Sequence, residues 1–230
     1  MNIAVIPARG GSKRIPRKNI KLFHGKPMIA YSIEAALASG CFDKVIVSTD
    51  DQEIADVAKQ CGAEVPFLRP AEIADDYATT MDVMSHAIQW CQHQGWEVDA
   101  VCCLYATAPF VLANDLQQGY QLLQEDGVQF AFSATSFPFP IQRAIKRHED
   151  GYVSMFSPEN ELVRSQDLEE AYHDAGQFYW GKASAFLAKK SIFSDRSKMV
   201  LLPRKRVQDI DTLEDWELAE SLFTALKLSK

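Results

Sequence analysis

Arg9, Ser12, Lys13, Lys18 and Asn19 stand around the pair Gly10-Gly11, directly after an apolar run that ends at Pro7. Cations and small polar groups at that spacing, on a loop leading out of a strand, suit a compact anion. The glycine turn offers backbone N–H groups, and a following helix N-terminus adds its dipole. The charge distribution points the same way. The formal net charge is −7, yet no Asp or Glu precedes Glu34. Arg14, Arg17, Lys21 and Lys26 join Arg9, Lys13 and Lys18 in this opening, which carries +7 against −14 for the remainder. Cations confined to one loop fit a small polyanion. A nucleic-acid surface would spread them over a wider face, so no nucleic-acid partner is expected.

Two common phosphate loops do not match. A Walker loop requires Gly-Lys-[Ser/Thr] where this chain has Gly11-Ser12-Lys13, and the dinucleotide fingerprint requires a third glycine that is absent. No Ser-His-Asp or Cys-His constellation is apparent.

The elements that must position this loop are α/β in rhythm. Strands are expected over Asn2–Pro7, 44–49, 64–68, 100–105, 130–135, 176–181 and 199–202. Helices are expected over 27–39, 52–61 (capped by Asp50 or Asp51), 81–94, 115–125 and Leu213–Leu228. Near-continuous apolar strands alternating with amphipathic helices predict a mostly parallel sheet with helices on both faces. The rhythm breaks over 137–172, where Pro138, Pro140 and Pro158 and mixed charge predict an active-site lid or an oligomerisation arm. At 230 residues, 47% apolar and 24% charged, residues 1–230 read as a single domain. No apolar run reaches membrane-spanning length, and no signal-peptide order opens the chain, so no membrane association is expected. Five cysteines without a CxxC pair argue against a disulfide framework or zinc site, with Cys102 and Cys103 as core residues; a cytoplasmic setting is expected.

Ala8-Arg9-Gly10-Gly11-Ser12-Lys13, followed by Ile15-Pro16 and Lys18-Asn19, resembles the opening signature of the CMP-sugar synthetases (acylneuraminate cytidylyltransferases). Val47-Ser48-Thr49-Asp50 resembles that family's second-strand motif. Leu68-Arg69-Pro70-Ala71-Glu72-Ile73-Ala74, with Asp76 and Thr79-Thr80, resembles its nucleotide-recognition segment, and Gln208-Asp209-Ile210-Asp211-Thr212 its metal motif. The resemblance spans nearly the whole chain. It implies a nucleotide-diphospho-sugar transferase (Rossmann-like) fold, CTP and a nine-carbon keto-acid sugar as substrates, Mg2+ as cofactor, and a homodimer joined through the 137–172 arm. It makes Lys18, Asp209 and Asp211 the catalytic group. Arg9, Ser12, Lys13 and Lys18 would hold the phosphates, within the Ala8-Arg9-Gly10-Gly11 turn. Asn19 would contact the ribose or an adjacent phosphate, Arg69 the cytosine side, and Ala78 and Thr80 would complete the base and ribose pocket. Arg14 and Arg17 either face solvent or touch substrate.

Asp209 and Asp211 alternate along an expected extended strand, which puts both carboxylates on one face. Two hard oxygen ligands beside phosphates suit magnesium, which takes few protein carboxylates. A second role for Asp211 is helix N-cap, with Glu214 in the capping-box position. The implied reaction is attack of the sugar's anomeric hydroxyl on the α-phosphorus of CTP, with pyrophosphate leaving.

The sugar side departs from the sialic acid members. Their Gln-Pro-Thr-Ser-Pro-Leu-Arg pattern is replaced by Tyr105-Ala106-Thr107-Ala108-Pro109-Phe110-Val111, and an Arg-Pro-Asn-Gly type segment by His173-Asp174-Ala175-Gly176. Segments 105–110, Phe137-Pro138-Phe139-Pro140-Ile141-Gln142-Arg143-Ala144 and 174–181, the last holding Gln177, resemble the pseudaminic acid branch of the family. That sugar is deoxygenated and carries two acylamino groups, so aromatic replacement makes chemical sense. The resemblance implies Tyr105, Gln142, Arg143, His173 and Gln177 as the sugar side. Arg143 is favoured for the sugar carboxylate, with Lys146 and Arg164 behind it. The alternatives are a sialic, legionaminic or Kdo synthetase, a non-catalytic nucleotide-sugar binding domain, or a hexose-1-phosphate nucleotidyltransferase, whose loop would normally spell Gly-x-Gly-x-Arg.

Overall fold

A computed structural model describes residues 1–74 and 78–228, so Asp76 lies outside the described residues. β1 (Asn2–Pro7) leads into the basic loop. β2 (Leu22–Phe23) and β3 (Lys26–Pro27) form a small hairpin whose two turn residues, His24 and Gly25, have φ of 46° and 83°, as a tight hairpin turn requires. Then follow α1 (Met28–Ser39), β4 (Lys44–Ser48), α2 (Gln52–Gln60), α3 (Thr80–His93), β5 (Ala100–Leu104), α4 (Ala113–Leu123) and β6 (Phe130–Ser136). The next segment carries only short 3-10 turns and the hairpin of β7 (Ile145–Arg147) with β8 (Val153–Met155). β9 (Tyr172–Lys182), α5 (Ala183–Leu187), β10 (Ser197–Leu201) and α6 (Leu213–Leu228) complete the chain.

The main sheet has the order β10-β6-β9-β5-β1-β4. β1 runs parallel to β4 and β5, and β6 parallel to β10, while β9 is antiparallel to both neighbours, β5 and β6. Alternation sorts the strand side chains. Ala4, Ile6, Val45 and Val47 join α1, α2 and α4 in one buried cluster, and Ile3, Val5, Ile46 and Val101 join α3 and α5 in another. The expected α/β sheet covered on both faces is therefore found, with Cys102 and Cys103 fully buried in it.

Three local expectations are corrected. Residues 64–68 make only two isolated bridges, Glu64 to Ile46 of β4 and Leu68 to Thr49 just after it, because Pro66 has no N–H for a ladder. β9 begins four residues earlier than expected and is joined by the short α5. Asp209 and Asp211 lie on an unpaired stretch rather than a strand. The Ile210 carbonyl between them bonds the Lys18 ammonium at 2.6 Å instead of a neighbouring strand.

A third apolar cluster fixes the site. Ile15 from the basic loop, Phe110 from the β5–α4 turn, Ile210, and Trp216 and Ala219 of α6 pack on Phe23 and Met28. One buried knot thus joins the cationic loop to the residue between the two aspartates.

Candidate active site

The cationic loop opens onto a cavity of ≈ 560 Å³. It lies over the carboxyl ends of β1, β4 and β5, where open α/β sheets place ligands. Arg9, Ser12, Lys13, Arg14, Lys18, Asn19, Arg69, Ala78, Thr80, Tyr105 and Asp211 all reach it. Residues as far apart as 9 and 211 in the sequence therefore meet on one wall.

The loop is held from beneath by β4 and the turn after it. The Ala8 N–H donates to the Ser48 carbonyl at 2.9 Å, and the Gly10 N–H to Asp50 Oδ1 at 2.9 Å. The Ser12 N–H donates to the Gly10 carbonyl at 3.0 Å. Gly10 and Ser12 therefore spend their N–H groups on the loop's own shape, which makes the side-chain cations the principal anion donors. Gly10 must be glycine because a Cβ there would meet Asp51 Oδ2 at 2.8 Å. Asp51 also caps α2 through the Ile54 N–H at 3.0 Å and takes both guanidinium nitrogens of Arg17 at 2.5 and 2.9 Å. Arg17 holds its carboxyl down at about 2. Arg17, at φ 56° and also paired with Glu53, faces away from the cavity, whereas Arg14 lines it.

Asn19 is buried and donates to the Arg9 carbonyl at 3.0 Å, tying the two ends of the loop together. Lys18 stands between the loop and the aspartates, 3.3 Å from Asp211, and Arg14 reaches the same carboxylate at 3.1 Å. Arg69 is 7% exposed and is fixed to the end of β4, its Nε donating to Ser48 Oγ at 3.1 Å and its terminal nitrogen to the Ser48 carbonyl. Burial lowers its pKa, with Asp50 opposing. Thr79 caps α3 in a box with Asp82 and so sets Thr80 at the cavity edge.

The capping question at Asp211 is settled by α6. Thr212 Oγ1 accepts the Asp215 N–H at 3.2 Å, and Asp215 Oδ2 accepts the Thr212 and Asp211 N–H groups at 2.7 and 3.1 Å. The box is Thr212 with Asp215, not Asp211 with Glu214, so the Asp211 carboxylate is spared for the cavity. Asp209 reaches solvent, yet its pKa is raised by partial desolvation first and by the Asp211 charge second. Among the described residues no three His, Cys, Asp or Glu side chains gather as a metal cage. The two carboxylates offer hard oxygens whose mutual repulsion a divalent cation would relieve, a donor set that fits magnesium shared with phosphates.

The remaining sugar-side residues sit elsewhere. Gln177 is buried and donates to the Arg206 carbonyl at 2.6 Å. His173 lines a neighbouring cavity of ≈ 470 Å³ with Thr135, Ser136, Arg204 and Lys205. Gln142 and Arg143 lie on the 137–172 arm, bonded to the carbonyls of Glu169 and Val163 respectively. The structure adds an ion pair that sequence reading missed. Arg206 meets Asp115 at 2.5 and 2.9 Å, with side-chain exposures of 16% and 5%, anchoring the segment that leads to Asp209. An Arg three residues before Asp209 was its only signal, and Asp115 is 91 residues away.

Residues 3–226 match the family model described as cytidylyltransferase. The chain is 50% identical, over 96% of both chains, to a pseudaminic acid cytidylyltransferase of Campylobacter jejuni. It is 35% identical to a CMP-N,N'-diacetyllegionaminic acid synthase of Legionella pneumophila, over 96% of this chain and 95% of that one. Among solved structures it resembles a CMP:2-keto-3-deoxy-manno-octonic acid synthetase complexed with CTP, at a TM-score of 0.71 and 18% identity, covering 97% of this chain and 98% of that one; that likeness speaks for the fold alone. On the match through nearly its whole length, the chain belongs to the cytidylyltransferase family of nucleotidyltransferases.

Proposed function

We propose that the protein joins CMP from CTP to the anomeric hydroxyl of a nonulosonic acid, pseudaminic acid foremost, and releases pyrophosphate. The observation that carries this is the single cavity in which Arg9, Lys13, Lys18, Arg69 and Asp211 converge, together with the 50% identity to a pseudaminic acid cytidylyltransferase. Arg9, Ser12, Lys13 and Lys18 bind the triphosphate, whose roughly four charges they match with charge-assisted bonds. Arg69, Ala78 and Thr80 enclose the base and ribose. Lys18, held by the Ile210 carbonyl, is pre-positioned for charge that develops during transfer. Asp209 and Asp211 would hold magnesium, which when bound neutralises phosphate charge and lowers the pKa of the attacking hydroxyl. The acid sugar lies over β9 and β6, next to the nucleotide. There Arg204 and Lys205 line the second cavity beside His173 and offer cations to its carboxylate.

The arm carries Phe139, Tyr152 and Leu162 at 78%, 76% and 93% exposure, with Ile145, Val153 and Phe156 also exposed. Apolar surface of that extent serves contact with another chain, and we assign it to a second copy. A monomer in sedimentation at micromolar concentration would refute that assignment. Cytoplasmic location follows from this biosynthetic role as an expectation; among the described residues no helix is long and apolar enough to cross a membrane.

The enzyme reading is tested by pyrophosphate release with CTP, magnesium and a panel of nonulosonic acids. No turnover with any acid refutes it, and sialic acid as the best substrate refutes the acceptor assignment. Asp209→Asn and Asp211→Asn each remove most activity while the fold is kept, and near-normal turnover in both would refute their role.

A further inference from the structure

Gln177 is a buried amide on β9, 3% exposed, in a run otherwise made of alanine, glycine and aromatic residues. Its backbone is fixed on both sides. The N–H donates to Ser133 Oγ of β6 at 3.2 Å, and the carbonyl accepts the Tyr105 N–H, just past β5, at 2.9 Å. A side-chain amide in such a place is costly unless it is bonded. Gln177 Nε2 donates to the Arg206 carbonyl at 2.6 Å, whereas Oε1 is buried and meets no donor among the described residues. The amide cannot be turned over. Reversed, Oε1 would face the Arg206 carbonyl, two acceptors with no proton between them. The side chain thus strands its oxygen to deliver one N–H, and it lines neither of the two cavities.

What that N–H holds is the stretch that carries the aspartates. Asp209 and Asp211 are on an unpaired part of the chain, and side-chain donors stand in for a neighbouring strand there. Gln177 takes the Arg206 carbonyl at the start of the stretch, and Lys18 takes the Ile210 carbonyl near its end, each at 2.6 Å. The Asp115–Arg206 pair fixes a guanidinium at the tip of a long side chain, whereas the Gln177 bond fixes the main chain itself. We propose that Gln177 is a positioning residue that sets the main-chain path from Arg206 to Asp211, and with it the placement of both carboxylates, and is not a ligand of the acid sugar. This rests on the proposed function and adds a residue on which the two carboxylates depend. Small misplacements of such groups, caused by changes away from the chemistry, cost rate rather than binding.

Gln177→Met keeps the length of the side chain while removing both the N–H and the stranded oxygen, so the fold is expected to survive; Gln177→Leu is the second variant. In each, kcat falls about tenfold and half-saturating magnesium rises about fivefold, with KM for CTP and for the acid sugar within about twofold of wild type. A glutamine that only supports the fold would lower the urea midpoint and leave kcat and the magnesium dependence alone, and that result overturns the proposal. A raised KM for the acid sugar with the magnesium dependence unchanged would make Gln177 a sugar contact and overturns it too. Amide hydrogen exchange in the ligand-free protein reads the path without turnover. The amides of Arg206, Val207 and Asp211 are bonded to the Pro203 carbonyl at 2.8 Å, the Arg204 carbonyl at 3.0 Å and Asp215 Oδ2 at 3.1 Å. They exchange about fivefold faster in both variants, while amides of β5 and β6 keep their wild-type rates. Unchanged rates over 206–211, or an acceleration shared by the strands, would overturn the proposal. A wild-type protein inactive on every acid would instead refute the proposed function, and the exchange comparison would still decide whether Gln177 sets the path.

Discussion

Breaking the Asp115–Arg206 pair is the most quantitative test of how the aspartate segment is held. Asp115→Leu leaves the Arg206 guanidinium, 16% exposed, with only the Phe110 carbonyl at 3.3 Å for company. Removing one partner of a buried pair costs about 3–5 kcal/mol. The same carboxylate accepts the Leu112 N–H at 2.9 Å at the start of α4, and that bond contributes about 1 kcal/mol more. The summed loss of about 4–6 kcal/mol lowers Tm by roughly 10 °C or more in a chain of this size. Replacing both partners is a different perturbation. Asp115→Leu with Arg206→Met leaves no stranded charge, and well-packed apolar replacements are often neutral or better, so stability returns to within about 2 kcal/mol of wild type. Urea denaturation of the wild type, both single variants and the double variant reads the cycle directly. A loss below about 1 kcal/mol in Asp115→Leu, or a double variant no more stable than Asp115→Leu, would refute the reasoning.

The Asp51–Arg17 pair predicts acid sensitivity. Arg17 holds Asp51 at about 2, below the unfolded carboxylate, so its stabilisation is present above about pH 4 and is lost as pH falls toward 2. With Arg17 36% exposed the worth is discounted to about 1 kcal/mol; Asp51→Asn therefore lowers the urea midpoint at pH 7 and not at pH 2, and an equal loss at both would count against it. Gly10→Ala pushes a Cβ to 2.8 Å from Asp51 Oδ2 and raises KM for CTP by about tenfold, whereas Gly11→Ala, with no atom within 4 Å of its Cβ, raises it less. Initial-rate kinetics in CTP separates the two, and a larger effect at Gly11 would reverse the argument. Lys205→Ala raises KM for the acid sugar and leaves KM for CTP alone, since Lys205 lines the neighbouring cavity and not the nucleotide's; a selective rise in KM for CTP would place the sugar elsewhere.

What was legible in the sequence was local. The cationic loop, the strand before it and the bounds of α6 follow from spacing within a few residues, and the structure places Arg9, Ser12, Lys13, Lys18 and Asn19 on one wall. Asp211 was readable as a residue but not as a conformation, because its choice between cap and cavity depended on Asp215 taking the capping role. The Arg206–Asp115 pair joins residues too far apart for any pattern to connect them. The Tyr179–Asp174 bond is close in sequence, yet the period-two rule places its members on opposite faces, and the left-handed Gly176 with the register shift between β6 and β9 reconciles them.

The reversed strand separates the two cavities along the sheet. In a parallel sheet every strand delivers its last residue to the ligand edge, as Pro7, Ser48 and Leu104 do here. β9 runs the other way, so it delivers its first residues, Tyr172 to Gly176, to that same edge, on the far side of β5 from β1 and β4. The first cavity is built from the β4-β1-β5 side, with Tyr105 at the end of β5 on its wall, and the second cavity from the β9-β6 side. The opening of β9 can therefore change without touching a residue of the phosphate loop, and the Asp174–Tyr179 bond with the Tyr105–Tyr179 ring contact joins it to the wall of the first cavity. Under the proposed function, acceptor choice falls to β9's first five residues, of which His173 lines the second cavity. Transplanting 172–176 from a synthetase for a different nonulosonic acid should shift KM among acids while KM for CTP holds, and a shift confined to CTP would break that chain of reasoning.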